Sequence, residues 1–243
     1  MMRDRDNGYI LAGVTVVTAM LAIVATALVA MAANELRSVA REERQVVEDL
    51  RLQGIALRVA SELAIAPGRR TIILDAGAAI WSENEHRFLV SVVPETAKLD
   101  LNQASITALE AGAGDRLVAV WPDLRGEIDT LRAEGAELRL VDDILPQPGF
   151  AAPCLHERFT VFSGWNGEGI RPAAPDYNSS IGPGTRLAVT VQEMGATRAV
   201  TVVFLMLGRI DRPAEILDMR FHEALTDEAR AACSIYGRSE HAA

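Results

Sequence analysis

Residues 9–33 read YILAGVTVVTAMLAIVATALVAMAA, and this stretch sets the organisation of the chain. Twenty-one of its 25 residues are hydrophobic and none is charged. As an α-helix, a stretch of this length would extend about 37 Å, which exceeds the roughly 30 Å of a bilayer's hydrocarbon core. The sequence therefore predicts one membrane-spanning helix close to the N-terminus.

The helix is predicted to continue beyond the apolar stretch. Residues 34–66 contain no proline and only one glycine, Gly54. The apolar residues that recur there at helical spacing are Leu36, Val39, Val46, Leu50, Leu57 and Ala60. This pattern predicts an amphipathic helix, so residues 9–66 would form one helix of about 87 Å that ends at Pro67 and Gly68. Its second half is expected to pack on its own domain, to contact partner helices, or both.

Three interpretations of the N-terminus remain open. The apolar stretch is a plain anchor, or a secretory signal peptide cut after the small residues at 30–32, or a pilin-type helix behind a leader of residues 1–8. A pilin-type cut would fall between Gly8 and Tyr9, at the membrane boundary. The apolar stretch exceeds the 7–15 residues of an ordinary signal peptide, which counts against the second interpretation. Arginines flank both ends of the stretch, so charge does not decide the orientation.

The rest of the chain predicts an α+β domain over residues 67–225, followed by a tail at 226–243. Alternating or β-branched stretches predict two or three short strands among 71–75, 78–82 and 86–93, and further strands at 158–163, 185–193, 197–207 and 216–221. Between them, residues 100–157 are predicted to form a short helical insertion. Its expected helical segments are 103–110, for which Asn102 is a good N-cap, 123–132 and 138–145.

Composition and motifs point away from nucleic-acid binding and from catalysis. The net charge of −9 does not suit contacts to phosphates. The His-Glu pairs that begin at His156 and His222 lack the second histidine of a zinc-protease helix. The chain has no Cys-x-x-Cys and no Gly-x-Ser-x-Gly motif. These patterns favour a structural or binding role over an enzyme.

Two cysteines, Cys154 and Cys233, are the only ones in the chain. They are too few for a disulfide scaffold, although they would suffice for one bridge in an oxidising compartment. Spacing alone leaves open whether they meet.

Several stretches together resemble the K-type minor pseudopilins of the type II secretion system, also called general secretion pathway protein K. The first is the leader and helix from Gly8 onward. The second, residues 90–102, resembles the family's strand, acidic turn and entry into a helical insertion. The third, residues 137–146 followed by 159–163, resembles the return from that insertion to a strand. Residues 214–220 fit the last strand.

The resemblance implies a pilin-like fold and a place in the cell. Residues 9–33 would be the transmembrane half of a long helix, and residues 34–66 a periplasmic half packed on an antiparallel sheet that contains a helical insertion. Prepilin peptidase would cleave between Gly8 and Tyr9, and the new N-terminus would be methylated. The protein would be single-pass in the inner membrane with a periplasmic C-terminal domain. It would then join the I and J minor pseudopilins at the pseudopilus tip and support protein export.

Gly13 occupies the fifth position of the predicted mature chain, where most pilin-like proteins carry Glu and K-type members do not. A carboxylate there pairs with the amine of the subunit above, and a tip subunit has none above it. Its absence also avoids a charge within the bilayer. Calcium binding is a further implication of the resemblance, with ligands unknown, and no other cofactor is expected.

An alternative function comes from the insertion. Residues 101–109, followed by Gly112 and Gly114, resemble the start of a helix–hairpin–helix module, which grips DNA phosphates through hairpin amides. A membrane-anchored DNA-binding or DNA-uptake protein is therefore the alternative. Asp115 follows the second glycine and Arg116 is the only nearby base, so the acidic surroundings favour the secretion protein, with no nucleic acid as partner.

Overall fold

The structure is a computed structural model of the 243-residue chain. The residues that it describes are 4–65, 69–75, 77–147, 154–168, 177, 181–209, 211–224 and 233. They fall into two compact units, Met1–Leu50 and Arg51–Ala243.

Helix α1, Asp4–Ala64, is the long helix that the sequence predicted. It starts within the charged leader, several residues before the apolar stretch. No proline interrupts it, so nothing in its sequence removes a backbone donor from the helical hydrogen bonds. The predicted stop at Pro67 and Gly68 lies outside the described residues.

An antiparallel sheet and a group of short helices make up the described part of the second unit. In chain order its elements are β1 (Ala78–Glu83), β2 (His86–Pro94), β3 (Leu99–Asp100), α2 (Ile106–Leu117), α3 (Trp121–Ala133), α4 (Leu155–Arg158), β4 (Phe159–Thr160), β5 (Arg186–Glu193), β6 (Arg198–Met206) and β7 (Ala214–Glu223). Five strands form one sheet in the order β1-β2-β5-β6-β7, with every neighbouring pair antiparallel. Strands β3 and β4 form a separate parallel pair. The α+β class is confirmed.

One face of the sheet packs on the last turns of α1. The buried helix residues recur at helical spacing and are Leu52, Ile55, Ala56, Val59, Ala60 and Leu63. They meet alternate residues of the strands, among them Phe88, Val90, Val189, Val191, Val200 and Val202. The predicted stripe was wrong here, since it joined Leu57 to Ala60, whereas Leu57 is 40% exposed. The helix carries two apolar stripes, and the sheet covers the one that begins at Leu52.

Of the two or three short strands expected over residues 71–93, two form, and residues 71–75 do not form a third. Only Asp75 pairs, through an isolated bridge to Ala78. Ile72 and Leu74 are buried in the core while Ile73 is 79% exposed. The alternating sequence pattern therefore reflects which side chains are buried. It arises here without a neighbouring strand.

The segment between β2 and β5 forms the predicted helical insertion and has its own core. That core includes Leu101, Leu109, Leu117, Trp121, Leu124, Ile128, Ile144 and Phe159. The predicted helix at 123–132 is α3, and the predicted segment at 138–145 is a 3-10 turn, Val141–Ile144. Of the predicted strand at 158–163, only the two residues of β4 pair.

Asn102 was wrongly predicted to be an N-cap. Helix α2 begins later, and the Ser105 hydroxyl caps it by accepting the Ala108 N–H at 3.2 Å. Asn102 instead donates to the Leu138 carbonyl and accepts the Leu138 N–H, both at 2.9 Å. It therefore joins the two ends of the helical hairpin, a role that local sequence does not reveal.

Candidate functional site

The apolar part of α1 is the first candidate functional feature. Among the described residues, one helical stretch, Gly13–Ala64, is long and apolar enough to cross a membrane. Aliphatic side chains along it are exposed, with Ile23 at 68% and Val29 at 69%. A helix that is apolar on all sides belongs in an apolar environment. Length and composition are those of a membrane anchor or a signal sequence.

The threonines of this segment suit the same environment. Thr18 donates its hydroxyl to the Val14 carbonyl, and Thr26 donates to Ala22 at 2.7 Å. A hydroxyl that bonds to its own helix needs no water, and this lowers the cost of placing it in lipid.

Gly8 and Tyr9, the predicted cleavage pair, both lie within α1. Gly13 is exposed, and a Cβ built on it would meet no atom within 4 Å. The packing of the chain itself therefore does not require glycine at position 13. Any reason for a residue other than Glu at this position must therefore come from what surrounds the helix.

Cys154 and Cys233 are joined in a disulfide, and both are buried. The bond spans a sequence separation of 79 residues and attaches the C-terminal segment to the start of α4. Cys233 is the one residue of the predicted tail, 226–243, that the structure describes, so the rest of that prediction lies outside the described residues. Disulfides persist in oxidising compartments, which constrains where this domain matures.

A buried polar cluster lies where the insertion leaves the sheet. Glu95, Lys98 and Thr160 are each at most 4% exposed. The Lys98 ammonium donates to Glu95 Oε1 at 2.6 Å, and the Thr160 hydroxyl donates to Glu95 Oε2. Both carboxylate oxygens thus have partners and the charge is neutralised, as burial demands. The cluster fastens the insertion to the end of β2 and is shielded from solvent.

Thr160→Val is expected to lower the free energy of unfolding by about 1–3 kcal/mol, because Glu95 stays buried with one donor fewer. Urea denaturation of the full chain in detergent measures the change. Thr130→Val is the matched control, since the Thr130 hydroxyl bonds to the Gly126 carbonyl on an exposed helix face and its loss should cost less than about 0.5 kcal/mol. Equal losses in the two variants would contradict the role assigned to Thr160.

A largely buried ion pair lies on β7. Arg220 Nε lies 3.0 Å from Asp218 Oδ2, and the two side chains are 15% and 12% exposed. Burial lowers the pKa of Arg220, while the neighbouring Glu95 and Asp142 carboxylates oppose that shift. Burial also raises the pKa of Asp218; the Met219 N–H opposes this shift, and the same two carboxylates add to it. The carboxylates of Glu95 and Asp142 thus influence both β7 side chains electrostatically.

Asp218→Asn tests this raised pKa. Because folding raises the pKa of Asp218, the folded protein holds the proton over a pH range where the unfolded chain has lost it, and stability falls as pH rises through the folded value. Asn removes the ion pair with Arg220 and lowers stability overall, but it does not titrate, so above about pH 4 the stability of the variant should fall less with rising pH than that of the parent. Denaturation across that range measures the difference. The control is Asp211→Asn, at a side chain that is 69% exposed, and its plot of stability against pH should be parallel to that of the parent. A parallel plot for Asp218→Asn would refute the raised pKa of Asp218.

A cleft of about 330 Å³ lies beside the β1–β2 turn. It is lined by Arg51, Glu83, Asn84, Glu85, His86 and Phe88. His86 Nδ1 lies 2.6 Å from Glu193 Oε1, and His86 Nε2 lies 3.3 Å from Arg51 Nη1. The carboxylate can only accept, so it orients the imidazole. Among the described residues, the lining contains no hydroxyl or thiol, and its carboxylates are those of Glu83 and Glu85.

Gly112 and Gly114 lie at a break in α2, which consists of two helical segments joined by a kink at Gly114, where φ is 63° and ψ is 175°. The Arg158 guanidinium lies over Gly114 and donates to the Gly112 carbonyl at 3.2 Å. A Cβ on Gly112 would lie 2.1 Å from Leu99 Cδ1. These glycines therefore serve close packing inside the insertion.

No metal site emerges from the described residues, which contain no group of three or more His, Cys, Asp or Glu side chains placed to hold a metal ion. His156 and Asp142 do meet, with Nε2 2.9 Å from Oδ1, but they meet as a pair. Calcium ligands thus cannot be named within this part of the chain.

No family model matches the chain, and no curated protein or solved structure matches it. Its function must therefore be inferred from its own residues and their geometry.

Sequence reasoning did not single out the buried cluster. One signal was available: Lys98 is the only lysine in the chain and follows Glu95 by three residues, a spacing at which side chains can pair. Thr160 carries no such signal, because it reaches the cluster only through the pairing of distant segments.

Proposed function

We propose that this protein is a K-type minor pseudopilin, a non-enzymatic component at the tip of the type II secretion pseudopilus that supports protein export across the outer membrane. One observation carries the proposal: the last turns of a long apolar N-terminal helix pack on an antiparallel sheet, and a helical insertion separates β2 from β5. This is the arrangement that the resemblance of the leader, the insertion entry and the insertion return implies.

In this proposal residues 9–33 anchor the precursor in the inner membrane. Prepilin peptidase removes residues 1–8, the new N-terminus at Tyr9 is methylated, and the protein then assembles with the I and J minor pseudopilins. The exposed apolar side chains and the internally bonded threonines of α1 support the anchor. Gly13 supports the tip position, since a carboxylate there would have no partner above.

The disulfide supports a periplasmic location for the C-terminal domain. Flanking arginines leave the orientation of the anchor undecided. A bond between Cys154 and Cys233 forms and persists on the oxidising side of the inner membrane. With the domain in the periplasm, the leader lies in the cytoplasm.

In this proposal the domain has no catalytic role. The Glu95 cluster is shielded from solvent, which favours a structural role for its charges. The net charge of −9 and the acidic surroundings of Gly112 and Gly114 favour the secretion protein over the DNA-binding alternative.

The N-terminus of the mature protein tests the proposal. Mass spectrometry of the protein from membranes should find a methylated chain that begins at Tyr9. A start at Ala33 would indicate a secreted soluble protein, and an intact Met1 would indicate a plain anchor. Either result would refute the pseudopilin assignment.

A further inference from the structure

Residues 34–50 of α1 carry an exposed apolar stripe, which we call the seam. Its members, Leu36, Val39, Val46 and Leu50, are 72%, 58%, 56% and 61% exposed. Their spacing is that of a heptad repeat in which Glu43 takes the remaining core position. The seam is about 21 Å long, and the same spacing continues in the sequence at Gln53 and Leu57. Such a pattern is typical of a helix that packs lengthwise on another helix.

Charged residues border the seam in rows of one sign. Glu35, Glu42 and Asp49 are seven residues apart and lie along the flank next to Val39 and Val46. On the other flank Ala40 and Val47 are small or apolar, and a row of arginines lies beyond them, at Arg37, Arg44 and Arg51. A helix docked on the seam would therefore face carboxylates on one side, with one more, Glu43, in its centre.

We infer that the seam binds a parallel helix from a different membrane-anchored chain, and that this helix carries a lysine or arginine opposite Glu43. The inference rests on the proposed function for the membrane anchor, which makes the two helices parallel. Residues at core and flanking positions of a heptad select partners by charge, and an acidic centre with an acidic flank selects a basic helix.

A second copy of this chain does not fit the seam. Two parallel copies in register would bring Glu43 against Glu43 in an apolar interface, where an uncompensated charge is costly. The acidic flank of one copy would meet Ala40 and Val47 of the other, so no arginine would compensate it. The charges of the seam thus disfavour binding of a second copy and favour a partner helix of opposite charge.

Photo-crosslinking in intact membranes tests this inference. A photoreactive amino acid is placed at Val39 or Leu50 of the full-length chain, and at Arg41 on the opposite helix face as control, with an epitope-tagged second copy present. We expect crosslinks from the two seam positions to an apolar helical segment with a lysine or arginine at the level of Glu43. Glu43→Arg should reduce the yield about tenfold or more. The matched variant Glu48→Arg, on the opposite face, should leave it unchanged, and reversing the partner's basic residue should restore the yield in Glu43→Arg.

Four results would overturn the inference: crosslinks to the tagged copy, equal yields from Arg41 and Val39, a crosslinked segment without a basic residue, or no crosslink from protein whose disulfide is intact by mass. The mature N-terminus is determined on the same sample. A chain that keeps Met1 yet crosslinks to a basic helix would refute the pseudopilin and leave the seam inference intact. A chain that begins at Tyr9 but gives no seam crosslinks would support the pseudopilin and refute the seam inference.

Discussion

Gly8→Val is expected to abolish removal of the leader, so that the protein keeps Met1 and does not begin at Tyr9. The physical reason lies at the bond to be cut. Glycine has no Cβ, so a peptidase can approach its carbonyl closely, whereas valine places a branched side chain beside the scissile bond and stiffens the backbone. Without cleavage no free amine appears at Tyr9 to be methylated, and the precursor stays in the membrane.

Intact-mass measurement of membrane-extracted protein shows which form is present. Gly13→Val is the matched control, because it makes the same change at a position where a Cβ would meet no atom within 4 Å. We expect this control to be processed normally. A chain that begins at Tyr9 in Gly8→Val, or a block of equal size in Gly13→Val, would argue against cleavage at Gly8.

Reduction of the Cys154–Cys233 disulfide is expected to lower the free energy of unfolding by roughly 4–5 kcal/mol, the value that loop-closure entropy assigns to a bond across 79 residues. Because folded domains are stable by only about 5–15 kcal/mol, a loss of this size would leave the domain marginal. The bond also holds the C-terminal segment at α4, so its loss frees both ends of the long closed loop.

Urea denaturation of the full chain in detergent, with and without reductant, measures this loss. The double variant Cys154→Ser with Cys233→Ser is the control, and reductant should not change its stability. If reduction shifts the parent protein by less than about 1 kcal/mol, the bond is not a main source of stability.

Sequence predicted the strands of the large sheet to within about two residues. The period of two in stretches such as 86–93, and turn residues such as Gly195, mark strands and hairpins locally. The third strand that the pattern allowed at 71–75 has the same origin, because alternating burial produces the same pattern with or without a neighbouring strand. The cap at Asn102 failed because its amide has a partner far along the chain, Leu138.

The candidate functional residues likewise include some that the sequence predicted and some that it did not. Cys154 and Cys233 were predicted as a possible pair because two cysteines allow one bond. The Glu95 cluster was not predicted as a whole, because Thr160 comes from β4 and no spacing in the sequence joins it to Glu95 and Lys98. The contacts of Arg158 with Gly112 and Gly114 were not predicted, because Arg158 lies far from the two glycines in the sequence.

Features set by neighbouring residues were thus determined by the sequence alone: the apolar length of α1, the insertion between β2 and β5, and the heptad rows of the seam. They depend on periodicity and on backbone preferences, which act over a few residues. Only the tertiary structure decided which apolar stripe of α1 the sheet buries, and which partners neutralise Glu95. Those outcomes depend on burial and charge pairing between segments that are distant in the sequence. Such contacts contribute to stability only once folding has brought the segments together.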